Sequence, residues 1–180
     1  KTENGILSFN SKDRTLGRAL NIEREFESQM MKRTVKLLTK NGDIKQVKDR
    51  VVMDVGGYVG MSSIGFLNFN LFDNAIIFEP NPNSFSLIEK NIKQNNFSDQ
   101  ITAFNVALSN KNSELLMELS HKNFGDHRIR QEGPVQEGHY HEEVRKIISV
   151  DSVTLDDFIK KNPQINFKNI SMVWMDIQGH

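Results

Sequence analysis

From Arg50 to Gly60 the chain reads Arg-Val-Val-Met-Asp-Val-Gly-Gly-Tyr-Val-Gly, and about twenty residues later Ala75-Ile76-Ile77-Phe78 runs into Glu79-Pro80. The first apolar run ends in an acid and a glycine turn, the second in another acid. Two such βα junctions in succession are how a doubly wound α/β sheet holds an adenine nucleoside. The glycines let the ligand approach the backbone, and the second acid takes the ribose hydroxyls. A dinucleotide fold asks for G-x-G-x-x-G. Counted from Gly56, Tyr58 and Met61 occupy the places of the second and third glycines. The pattern present is Asp54-x-Gly56-Gly57-x-x-Gly60.

The rest of the chain alternates strand-like and helix-like stretches, which argues a parallel sheet with crossover helices. Residues 16–40 predict one amphipathic helix, with Leu16, Leu20, Phe26, Met30, Leu37 and Leu38 near helical spacing and Asn41-Gly42 as a stop. Residues 51–55 predict the first strand, 61–69 a helix opening on the glycine turn, and 75–78 the second strand. Pro82 and a capping Asn83 or Ser84 start the next helix, which buries Phe85, Ile88 and Ile92. Residues 101–106 predict strand three. Residues 115–119 and 146–150 predict an inserted hairpin-like pair around a polar stretch, 120–146. A helix follows from Asp151, capped by Thr154 or Ser152, and residues 172–175 form a fourth parallel strand closing on Asp176.

The expected organisation is an N-terminal helical extension over 1–49 and a ligand-binding domain over 50–180. The chain stops at Gly179-His180, just after a strand. The expectation is therefore a Rossmann-like sheet cut short after its fourth core strand, with the C-terminal part of the domain missing. Its raw edge would expose Met172, Val173 and Trp174 and invite pairing with another copy.

Lys+Arg and Asp+Glu both number 23, so nothing in the charge favours a nucleic acid partner. There is no cysteine, hence no disulfide framework. No apolar run reaches the ~18 residues of a membrane span, and no signal region precedes residue 16. The expectation is a cytoplasmic protein acting on a small molecule or a glycan.

The glycine pattern resembles motif I of class I S-adenosylmethionine-dependent methyltransferases. On that resemblance Asp54, at the carboxyl end of strand one, would hold the methionine ammonium directly or through water. Gly56, Gly57, Tyr58 and Gly60 would admit the amino-acid and ribose parts, although a plain glycine-rich turn gives the same pattern. Glu79 would accept both ribose hydroxyls, with Pro80 fixing the loop and Asn81 or Asn83 either touching the ligand or capping the helix. Asn105 and Ala107 end strand three over the adenine region. The Asn105 amide oxygen can accept the adenine amine, or the residue merely ends a strand.

Asp176 and His180 fall beside the place of methyl transfer. No Asn/Asp-Pro-Pro-aromatic sequence follows strand four. A pocket for a base amine or amide nitrogen is thus disfavoured, and a hydroxyl acceptor is expected. Asp176 could orient it, or His180 could take its proton, unless His180 is simply a chain-end residue. The polar stretch carries His121, His127, His139 and His141. His139-x-His141-Glu142-Glu143 invites a metal reading, but a solvated loop explains it, and no metal is expected. Asn123, Asp126, His127 and Arg128 bring polar groups and a guanidinium together on a loop that could cover the strand ends as a substrate- or cofactor-facing lid and shape the acceptor pocket.

Taken together, the chain resembles the FkbM-type methyltransferases. The matching pieces are Asp54–Gly60, Phe78-Glu79-Pro80-Asn81-Pro82, Asn91-Ile92, Ala107-Leu108-Ser109, Val153-Thr154-Leu155-Asp156-Asp157 and Asp176-Ile177-Gln178-Gly179-His180. The first piece is shared by all class I enzymes; the later ones in combination are far more specific. The resemblance implies S-adenosylmethionine as cofactor and O-methylation of a small molecule or sugar. The competing readings are a nicotinamide-dependent oxidoreductase, disfavoured by the glycine spacing, and a methyltransferase-like domain that binds without turnover.

Overall fold

The computed structural model describes residues 1–44, 48–130, 145–165 and 167–178. Its centre is a four-stranded parallel sheet in the order β3-β2-β1-β8, formed by β1 (Val51–Val55), β2 (Asn74–Phe78), β3 (Ile101–Phe104) and β8 (Ile170–Met175). This is half of a doubly wound α/β fold, with the order reversing between β1 and β8, where such sheets bind ligands.

All five residues of β1 are buried, as expected of a central strand covered on both faces. Alternation divides them. Val52 enters a cluster with Ile64, Phe66, Ile77 and Ile88, while Val51, Met53 and Val55 pack with Ile76, Phe78 and Phe158 on the other face. The first face is covered by α2 (Ser28–Asn41), α3 (Met61–Asn68) and α4 (Pro82–Gln94); the second carries α5 (Leu155–Lys161). Phe158 meets the Phe78 and Phe104 rings edge-on at 4.9 and 4.7 Å.

A second sheet, in the order β4-β7-β5-β6, contains β4 (Ala107–Leu108), β5 (Ser113–Leu119), β6 (Arg128–Ile129) and β7 (Lys146–Val153). The antiparallel β5–β7 pair is the expected inserted hairpin.

Four local expectations are corrected. The helix over 16–40 is two helices, α1 (Leu16–Ile22) and α2. Arg24 and Glu27 adopt left-handed φ of 57° and 55° between them. The break is held from far away: the Asn4 side chain accepts from the Phe26 N–H at 3.1 Å and donates to its carbonyl at 3.0 Å. The buried face of α2 is Met31 and Val35, with Leu38 packed beside them, whereas Met30 and Leu37 are exposed. The cap of α4 is Asn81, whose side chain accepts from Asn83 N–H at 2.9 Å. Strand three ends at Phe104, and Ala107-Leu108 joins the second sheet. Of the two caps expected for α5, Thr154 is the one used, accepting from Asp157 N–H at 3.2 Å. Ser152 lies inside β7 and donates to the carbonyls of Ser113 and Lys111.

Along β8, Val173 and Met175 are exposed, while Met172 and Trp174 pack against the core and Trp174 meets Phe66 edge-on at 5.2 Å. Among the described residues no helix is long and apolar enough to cross a membrane.

Residues 1–27 lie on the α3–α4 side. Ser8 N–H donates to the Asn91 side chain at 2.7 Å. The Asn91 amide in turn donates to the carbonyls of Ser8 and Val59 at 2.9 and 2.8 Å. Met31, Val35 and Ile44 share a core cluster with Val52 and Phe66, so the expected boundary near residue 50 runs through continuous packing.

Candidate functional site

At the carboxyl ends of β1, β2 and β8 lies a cleft of two adjoining lobes. One encloses about 560 Å³ and is mainly apolar, with Val106, Leu108, Met117, Phe124 and Ile129 among its walls. The other encloses about 880 Å³ around the glycine turn. Gly56, Tyr58, Gly125 and Asp176 line both.

The turn is shaped by close approach. Gly56 has φ +89°, and a Cβ there would lie 2.2 Å from the Asp176 carbonyl oxygen. Backbone cannot yield as a side-chain tip can, so only glycine lets the ends of β1 and β8 meet this way. A Cβ on Gly57 would lie 2.2 Å from Ile77. Gly60, at φ +76°, is the N-cap of α3.

Glu79 ends β2 and is buried in the apolar lobe. Its two carboxylate oxygens accept from the backbone N–H of Tyr58 and of Asn81, each at 2.8 Å. The remaining lone pairs leave it able to accept from a ligand. Burial pushes its pKa up to about 7, against those two N–H groups, with Asp54 adding to the rise. Asp54 lines the glycine-turn lobe and accepts from the Ser63 hydroxyl at 2.7 Å. Burial raises it to about 6, opposed by Ser63 and reinforced by Asp176. Asp176 is exposed on the rim, accepting from the Gln178 amide at 2.6 Å.

The lid expectation divides. Phe124, Gly125, His127 and Arg128 wall the apolar lobe, and Asn123 and Gly125 the other. Asn123 caps the short 3-10 turn Phe124–Asp126, accepting from Gly125 N–H at 3.2 Å. Asp126 lines neither lobe; the largely buried Arg145 guanidinium holds its carboxylate at 2.6 Å. His127 accepts through Nδ1 from Ser120 N–H at 3.0 Å. Burial, then Arg145, lowers its pKa to about 4, so the ring is neutral. Arg128 pairs with Glu118 at 3.4 Å.

Of the other expected ligand contacts, Pro80 and Ala107 line the apolar lobe. Asn81 works as a cap and as a donor to Glu79. Asn105 is exposed outside both lobes, its amide donating to the carbonyls of Glu79 and Pro80 at 2.8 and 2.9 Å. It braces the loop that carries Glu79. His180, His139 and His141 lie outside the described residues.

Sequence reasoning missed the contribution of the N-terminus. Thr15, Leu16, Phe26 and Glu27 line the glycine-turn lobe. Burial, followed by the charge of Asp176, raises the Glu27 pKa. Glu27 has no motif around it; its left-handed φ arises from the α1–α2 break. The lobe thus gathers Glu27, Asp54 and Asp176, and none of the described residues lining it is Lys, Arg or His.

Among curated proteins none matches the chain. Among solved structures, the FkbM methyltransferase from Methylobacillus flagellatus is 16% identical, covering 97% of this chain and 39% of that one, with a TM-score of 0.46. The N-terminal domain of human METTL16, in complex with SAH, is 22% identical over 43% of this chain and 30% of that one, TM-score 0.37. TYW2 of P. horikoshii, in complex with MeSAdo, is 25% identical over 33% and 22%, TM-score 0.31. The chain therefore spans between 22% and 39% of the length of these three structures. A family profile, the methyltransferase FkbM domain, matches residues 54–180, well over half the chain. The chain belongs to the FkbM methyltransferase family.

Proposed function

We propose that the cleft binds S-adenosylmethionine and that the chain serves methyl transfer to a hydroxyl of a small molecule or sugar. One observation carries the cofactor reading: the glycine-turn lobe holds three carboxylates and, among its described lining residues, no cation. S-adenosylmethionine bears an ammonium and a sulfonium against a single carboxylate, a net positive charge that such a lobe attracts. A dinucleotide would place its pyrophosphate at this turn, where the carboxylates repel it.

The fit extends to shape and donor set. The two lobes meet at Gly56, Tyr58, Gly125 and Asp176, so one ligand can span both. The apolar lobe beside Glu79 suits an adenine with its ribose hydroxyls on the carboxylate. Asp54 stands where the amino-acid end would lie. When bound, the cofactor supplies an electrophilic methyl group.

The chain's own residues do the rest. Glu79 fixes the sugar, Asp54 the ammonium, and the apolar walls exclude water from the base. Asp176, on the rim and shared by both lobes, is placed to orient an acceptor hydroxyl and take up its proton. The lack of an Asn/Asp-Pro-Pro sequence after β8 supports oxygen as acceptor.

Calorimetry with S-adenosylhomocysteine and with NAD tests the cofactor reading. Binding of the first and not the second is expected; the reverse would make the cleft a nicotinamide site. Labelled methyl on a product oxygen is the expected transfer, and label on nitrogen would overturn the acceptor class.

A further inference from the structure

The family match begins at residue 54, yet the cleft is not closed by residues beyond that point alone. The segment Asn10–Leu16 passes between the glycine turn and the 120–127 loop. Arg14 N–H donates to the Lys122 carbonyl at 2.9 Å. Leu16 packs so tightly on Gly125 that a Cβ there would lie 2.3 Å from its Cδ1. Just before Arg14 sits Asp13, 4% exposed. One of its oxygens accepts from Thr15 N–H at 2.9 Å and the other from the Tyr58 hydroxyl at 2.5 Å.

Tyr58 is the hinge of the matter. It occupies a left-handed φ of 50° within the glycine turn, a conformation that a bulky residue disfavours. That conformation aims its N–H at Glu79. The phenol is fixed at its far end by Asp13, so ring and backbone are held at both ends. Burial and the bond to Asp13 both keep the phenol protonated and donating.

We propose that the N-terminal segment completes the cofactor site, with Asp13 as a positioning residue that acts through Tyr58 on Glu79. This rests on the cofactor reading above. Cofactor binding and docking of residues 10–16 are then one coupled equilibrium. A ligand that needs Glu79 in place stabilises the docked segment, and undocking weakens the ligand.

The test uses the full chain, S-adenosylhomocysteine, and the variants Asp13→Ala, Asp13→Asn, Tyr58→Phe and the Asp13→Ala/Tyr58→Phe double. Two quantities are read: ligand affinity by calorimetry and the rate of tryptic cleavage at Lys12 and Arg14. Each of Asp13→Ala and Tyr58→Phe should weaken binding roughly tenfold, the scale of one hydrogen bond to a charged group. The double variant should be no weaker than the worse single, because both remove one contact. Asp13→Asn, which keeps an acceptor for the phenol, should recover part of the loss. Ligand should slow cleavage at Lys12 and Arg14 in the parent chain and not in Tyr58→Phe. If Asp13→Ala fails to fold, Tyr58→Phe carries the test, since it removes only a hydroxyl. Parent protein that binds no S-adenosylhomocysteine would refute the cofactor reading and this inference together. Binding in the parent with affinities and cleavage rates within twofold in both single variants would refute this inference alone.

Discussion

The cleft has two kinds of wall. The β1–β2 side is made by backbone: Gly56 against the Asp176 carbonyl, and Tyr58 and Asn81 N–H groups on Glu79. The opposite side is made by side chains from distant segments: Leu16, Phe26 and Glu27 from the N-terminus, Met117 and Ile129 from the second sheet. Backbone constraints restrict which residue type can stand at a position. Side-chain walls restrict only size and polarity, so many sequences satisfy them. The first wall therefore leaves marks in the local sequence, and the second leaves none.

That contrast is broken most severely at Gly56. Gly56→Ala meets both the Asp176 carbonyl and a φ of +89°; its expected result is loss of measurable S-adenosylhomocysteine binding, with a lower melting temperature. Binding that survives would show that the turn can open without cost. Asp176→Asn should next lower turnover about a hundredfold, the scale of positioned proton transfer, with cofactor affinity nearly unchanged. An equal loss in both would move Asp176 from the acceptor to the cofactor.

Glu79→Ala should weaken cofactor binding by ~1.5–3 kcal/mol, as for a hydrogen bond to a charged group. Unchanged affinity, measured by calorimetry, would take Glu79 out of the site. The pH dependence is gentler and has a definite sign. Glu79 and Asp54 hold protons in the fold up to about 7 and about 6, from ordinary values of 4.5 and 3.8. Their contribution to stability is complete below the ordinary values and is lost as pH rises through the folded ones. The ligand-free protein should thus lose melting temperature from about pH 4 to 7, and Glu79→Gln should flatten the upper part of that slope. Cofactor affinity should rise over the same range, as Asp54 ionises toward the ammonium. His127 acts oppositely, losing stability as pH falls from 6.5 toward about 4. The smallest effect is expected at Leu16→Ala, which thins the side-chain wall and should cost a few-fold in affinity.

The same contrast explains what could be read in the sequence. Val51–Val55, the three glycines and the place of Glu79 at a strand end were legible because a β-branched run, positive φ and close approach leave local marks. The phase of α2 was not. Met30-Met31 and Leu37-Leu38 offer two equally apolar faces, and only Val35 separates them. The α1–α2 break was invisible because its cause, Asn4 on Phe26, lies 22 residues away. Asp13 and Tyr58 are 45 apart, and a polar pair at that separation obeys no period. Asn105 stayed between two readings for a related reason: its amide could equally serve a ligand or the loop beneath it, and it bonds the loop.

The bonds from Asn91 and Asn95 to Ser8 and Ile6 carry a consequence for biosynthesis. They join residues 83 and 89 positions apart. On the ribosome, the segment around residues 6–8 must wait until α4 has left the exit tunnel before it finds a permanent partner. At typical elongation of ~5–20 residues per second, that is a delay of seconds. During it Leu7 lacks the core cluster that it packs against in the fold. Docking of this segment is then a late event, with its contacts absent from the folding nucleus. Substitutions at Asn91 should accordingly speed unfolding far more than they slow folding.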